Sequence, residues 1–204
     1  AGVTHLKVKL LNRTIAPLGA PYVVMVEEGY KRPPALFLGD EEYARALQAT
    51  IQVTVDVIAI NRKKQLFYLA MRRTKPVAGL WWFGGRQNPG ETPTEAAVRI
   101  VARETGLDLS QERLEFVTYI HHMCKDRQQE PQDMGCHMLA GTFVFEPSKK
   151  ELSHIAGKLE KKEYDVRVAL RTFDRFGLLE HGARPQALEL YDKVFERLPE
   201  DVVW

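Results

Sequence analysis

The chain has 204 residues and a mass of 23.3 kDa, room for one domain with a small appendage. Apolar residues make up 45% and charged residues 27%, the balance of an ordinary globular protein. Its 29 basic and 27 acidic residues leave a net charge of +2, too even to argue for nucleic acid or an anionic membrane as partner.

Two cysteines, Cys124 and Cys136, are too few for a disulfide framework and lie in no CxxC, so they read as half-buried thiols of a reducing cytosol. The most apolar N-terminal stretch, residues 14–26, is broken by Pro17 and Pro21 and followed at once by Glu27 and Glu28. It is too short to span a bilayer and lacks the layout of a signal peptide. A cytoplasmic protein is the expectation.

Residues 1–36 read as an extension. It holds an alternating run, HLKVKLLN (5–12), a Pro/Gly turn, an apolar run, YVVMVEE (22–28), and then KRPP (31–34), a pattern that predicts one or two strands. Asp40 is placed to cap a short helix, EEYARALQAT, with acidic residues in its first turn. IQVTVDVIAIN (51–61) and QLFYLAMRR (65–73) read as a hairpin around the turn NRKK. LWWF (80–83) is a short strand entering a Gly-Gly loop, and a helix follows at 92–107. Strands are expected at 113–122 and 135–145, then a charged stretch (148–163), a run YDVRVAL (164–170), and helices at about 172–179 and 184–197. One helix among several strands, with more helices at the end, predicts an α+β domain, layered α/β/α, over residues 37–204.

The 92–107 helix is written in detail. Thr92 and Glu95 form a capping box, Pro93 takes the first helical position, and Gly106 supplies the left-handed cap. At 100° per residue its apolar stripe holds Ala96, Ala97, Ile100, Val101 and Leu107, and Glu104 falls inside it. A carboxylate buried there needs a cation, either an arginine such as Arg99 or Arg103 or a metal ion. The preceding loop, GGRQNPGE (84–91), has three glycines that let backbone approach a phosphate or metal closely, and Arg86 can make charge-assisted bonds to a diphosphate.

Gly85, Glu91, Arg99, Glu104, Gly106 and Leu107 have the spacing of G-x5-E-x7-R-E-U-x-E-E-x-G-U, so this segment resembles the Nudix box. Ile100 and Arg103 stand where that box has glutamates. The loss is similar to that of the GDP-mannose mannosyl hydrolase branch, as are residues 36–61 and 72–86. The resemblance implies a Nudix fold, a mixed β-sheet between helices, and a homodimer binding Mg2+ or Mn2+. It implies that Glu104, with a carbonyl of Gly84 or Gly85, holds the metal, that Arg73 and Arg86 hold the diphosphate, and that Arg99 orients the box glutamates. Asp56 matches a strand aspartate that assists catalysis in that branch; its other reading is a polar position on an alternating strand. The branch's metal-binding glutamine and base histidine have no match in KLEKKEYDV (158–166), where Glu160 or Glu163 could stand in for them. Of His121 and His122, neighbours on a strand, only one can face the site, and His122 is a candidate for substrate binding. The implied activity is hydrolysis of a nucleoside diphosphate sugar such as GDP-mannose. An ordinary Nudix pyrophosphohydrolase and a non-catalytic nucleotide-binding domain are the alternatives.

Overall fold

The computed structural model describes residues 22–76, 78–168 and 170–195. The elements run α1 (Asp40–Ala49), β1 (Gln52–Asn61), β2 (Leu66–Arg72), β3 (Gly79–Trp81), β4 (Phe83–Arg86), α2 (Pro93–Thr105), β5 (Glu115–Cys124), β6 (Cys136–Phe145), α3 (Lys149–Lys158), β7 (Arg171–Phe173), α4 (Arg175–Glu180) and α5 (Pro185–Val194). One sheet has the order β3-β2-β1-β6-β5, with β4 also on β1 and β7 also on β2. β1 and β6 run parallel over Gln52–Ala59 while the other pairings are antiparallel, so the sheet is mixed.

β1 lies at the centre and is buried along most of its length. Its alternation therefore separates two cores rather than core from solvent. Val55, Val57 and Ala59 pack with Phe83 and with Ala96, Ala97, Ile100 and Val101 of α2. Ile58 and Ile60 point the other way, into a core with Trp81, Trp82, Phe173, Leu178 and Leu190 on the side of α4 and α5. The result is the α/β/α sandwich expected, and the face of Ile58 is also that of Thr54 and Asp56.

Several local readings change. The 5–12 run lies outside the described residues. The 22–28 run forms no strand and lies largely on the surface, with Val23 91% exposed. Gly39, not Asp40, is the N-cap of α1. Inside the charged 148–163 stretch, Ser148 and Glu151 form a capping box that starts α3. The described residues of 164–170 make a single bridge, Tyr164 with Arg72, and a strand comes later, at Arg171. Cys124 and Cys136 face one another across β5 and β6 as free, half-buried thiols. No helix among the described residues is long and apolar enough to cross a membrane.

Candidate active site

α2 is built as its sequence specifies. The Thr92 side chain accepts from the Glu95 N–H, Glu95 reaches back to the Thr92 N–H, and Gly106 closes the helix at φ 68°. The loop before it is clipped to the helix by a two-pronged pair. Arg99 Nε and Nη2 donate to Glu91 Oε1 and Oε2 at 2.6 and 2.7 Å, and Nη2 also donates to the Arg86 carbonyl at 2.8 Å. Burial pushes the Glu91 carboxyl up, but Arg99 and Asn88 outweigh it and hold the group below its ordinary value. Arg99 thus ties Glu91 and the Arg86 backbone to α2.

Glu104 is 1% exposed, as the helical stripe required. Oε1 accepts from Arg103 Nη2 at 2.5 Å. Oε2 accepts from the Tyr164 hydroxyl at 2.5 Å and the Gly84 N–H at 3.3 Å. Burial pushes this carboxyl up, and Tyr164 and Arg103 only partly offset it, so it stays above its ordinary value. Of the two partners the sequence left open, a guanidinium occupies the place: Arg103 Nη2 also lies 3.4 Å from the Gly84 carbonyl. The carboxylate and carbonyl expected to hold a metal are therefore bridged by one arginine nitrogen. A divalent ion within about 4 Å of that guanidinium would meet repulsion on the order of 8 kcal/mol at an effective dielectric of 20. This arrangement does not fit a resident Mg2+ or Mn2+.

The two loop glycines are required by close approach. A Cβ on Gly84 would collide with Asp56 Oδ1, and one on Gly85 would lie 3.0 Å from Arg103 Nη2. On the Asp56 side of the sheet opens a cavity of about 80 Å3, lined by Thr54, Asp56, Arg72, Pro76, Trp81, Gly84, Gly85, His122 and Met138. Asp56 and His122 are both buried, and His122 Nε2 stands 3.3 Å from Asp56 Oδ2. Burial pulls the His122 imidazole down, but the hydrogen bond and charge of Asp56 win and leave it raised above 6.5. His121, its neighbour, points outward and meets His137 at 3.0 Å.

The remaining candidates divide. Arg86 lies on the Asp56 face of β4 by its register with Thr54, and its guanidinium stacks 4.4 Å over the Tyr43 ring. Arg73 is exposed and lies off the cavity, donating its N–H to the Glu163 carbonyl, while Arg72 lines the cavity instead. Only one of two adjacent arginines on a strand can face inward. The Glu163 carboxylate accepts from Thr74 at 2.7 Å and from Arg72 at 3.3 Å, so it serves as counter-ion to Arg72 and is not turned into the cavity. Sequence reasoning missed Arg72, Trp81 and Tyr164. The first could have been weighed as the alternative to Arg73; Tyr164 reaches Glu104 across 60 residues of chain, with no local signal.

The sequence model of the NUDIX domain matches residues 50–160, more than half of the chain. This chain belongs to the NUDIX domain family. Solved structures with the same fold include the MutT NUDIX hydrolase from Burkholderia pseudomallei, 18% identical, covering 71% of this chain and 98% of that one with a TM-score of 0.52. A NUDIX hydrolase from Nitrosomonas europaea is 19% identical, covering 76% and 97%, with a TM-score of 0.52. The E. coli dihydroneopterin triphosphate pyrophosphohydrolase is 14% identical, covering 73% and 99%, with a TM-score of 0.50. At these identities the likeness carries the Nudix fold and no particular substrate.

Proposed function

We propose that this Nudix protein hydrolyses a nucleoside diphosphate-linked substrate, a nucleotide sugar such as GDP-mannose, with Asp56 and His122 acting together on the attacking water. The carrying observation is the buried Asp56–His122 pair in a cavity whose wall is the Gly84–Gly85 loop. A buried imidazole held by a carboxylate in a cleft beside a glycine-rich loop is a candidate for general base work. With Nε2–H directed at Asp56, Nδ1 of His122 is left as the acceptor for a proton from water. The arginines supply the other half. Arg72 lines the cavity, Arg86 belongs to the loop strand and stacks on Tyr43, Arg103 reaches the Gly84 carbonyl, and forked guanidinium donors suit a diphosphate.

The reaction we infer is attack of water oxygen on the anomeric carbon. The bond from that carbon to the diphosphate oxygen breaks, its electron pair leaves with the nucleoside diphosphate, and the water proton passes to His122. Such a leaving group needs positive donors along its oxygens, a part these arginines are suited to fill. A homodimer belongs to the same reading and is checked by sedimentation.

Incubation with a panel of nucleotide sugars in 18O-water tests this. Label is expected in the released sugar and not in the nucleotide. Label in a phosphate product would instead make the protein an ordinary pyrophosphohydrolase. The Arg103–Glu104 bridge favours a second reading, a domain that binds a nucleoside diphosphate without turnover; it predicts binding of GDP or ADP and no product from any member of the panel.

A further inference from the structure

The two departures from the Nudix box do different things. Ile100 is fully buried and packs in the core beneath β1 and β4. Arg103 is neither core nor free surface. Its Nη2 is held by Glu104 Oε1 at 2.5 Å and lies 3.4 Å from the Gly84 carbonyl, yet its side chain keeps 46% of its exposure. One edge of the guanidinium is fixed against a carboxylate and a loop carbonyl, and the other edge is open. Glu104 is immobilised in turn from its second oxygen by Tyr164 and the Gly84 N–H. The bareness of Gly85 keeps the place open, since even a methyl group there would crowd Nη2 to 3.0 Å.

We infer that Arg103 is a covalently tethered replacement for the divalent cation. Held by Glu104 and the Gly84 carbonyl, it presents its remaining N–H donors to the diphosphate, so that a nucleoside diphosphate binds without metal. The inference rests on the proposed function, which brings a diphosphate to this loop. A guanidinium carries five N–H donors in a planar fork and stays charged at any working pH. It can therefore hold one edge on Glu104 and Gly84 and still offer others to phosphate oxygens. It supplies a single charge where a divalent ion supplies two; Arg72 lines the cavity beside Gly84 and Gly85, and Arg86 follows them on β4.

Three measurements on the whole chain test this. Calorimetric titration with ADP and with GDP is expected to return the same dissociation constant in EDTA and in excess Mg2+. Mn2+ added to the protein alone is expected to keep the paramagnetic resonance spectrum of the free ion. In EDTA, Arg103→Met is expected to weaken nucleoside diphosphate binding by roughly tenfold or more, the scale of a lost charge-assisted bond, and Arg103→Lys by less. Arg103→Glu, which restores a box carboxylate, is expected to capture Mn2+. Since that variant also sets two carboxylates side by side and can unfold the helix end, the unaltered protein and Arg103→Lys carry the test by themselves. Tight Mn2+ binding by the unaltered protein, or diphosphate binding that vanishes in EDTA and returns with Mg2+, overturns the inference and leaves the proposed function standing. Failure of ADP and GDP to bind in any buffer removes the proposed function, and this inference with it.

Discussion

His122 owes its charge state chiefly to one neighbour. Burial alone would drive the imidazole below 6.5, and the Asp56 carboxylate 3.3 Å away reverses the sign. A base must be neutral to take a proton, so the acid limb of kcat/KM is expected above pH 6.5. In Asp56→Asn the two largest raising causes are lost and burial remains, so that limb is expected to move to lower pH while the rate falls. A limb that stays put in Asp56→Asn would show that another group is titrating. His122→Asn is expected to lower kcat by about 100-fold or more, the usual contribution of a positioned base. The same pair affects stability with a defined sign. Because the folded value is raised, the pair stabilises the fold fully below the unfolded value near 6.5 and loses that contribution as pH rises through the folded value. Urea midpoints across this window in the natural protein and in His122→Asn measure it.

The loop and α2 behave as one element because of three bonds from Arg99. Two hold the nearly buried Glu91 and one holds the Arg86 carbonyl. Arg99→Ala leaves Glu91 with Asn88 as its remaining partner and is expected to cost about 1.5–3 kcal/mol, the range for bonds to a charged group. Beyond that cost, amides of residues 84–91 are expected to exchange faster with deuterium, since the clip also positions the Arg86 backbone. Unchanged exchange there would mean that the glycine loop is held by the sheet pairing of β4 alone. Thr92→Ala, which removes the cap from the same helix, is expected to cost about 1 kcal/mol by urea unfolding. It should leave the loop exchange nearly untouched.

At the scale of the molecule, the described part of the extension lies on the loop more than on the core. Arg32 donates to the Gly90 carbonyl at 2.9 Å and pairs with Glu95 on the surface, while the Tyr22 hydroxyl donates to Thr94. Val23 and Met25 stay almost wholly exposed, so little apolar area is buried by this segment. Changing Tyr22→Phe together with Arg32→Ala is therefore expected to change the unfolding free energy by less than about 2 kcal/mol, since exposed ion pairs contribute about 1 kcal/mol at most. A larger loss, or an unfolded product, would assign this segment to the core of the domain rather than to its surface.

Much of this protein was legible from one dimension. The capping box, Pro93 and Gly106 specified α2, and the helical period alone forced Glu104 inward, because these are relations within a few turns of one chain segment. Periodicity likewise separated His122 from His121 without naming which faced inward. Partner choice was not local. Tyr164 reaches Glu104 from 60 positions away, beside its bridge to Arg72 of β2, and Asp56 meets His122 across 66 through the β1–β6–β5 order of the sheet. The packed sheet also puts Arg72 and not Arg73 in the cavity wall, and the apolar run at 22–28 forms no strand. Local residue patterns set where a side chain points; only the packed sheet decides what it finds there, since a buried charge takes whichever counter-charge the tertiary contacts deliver.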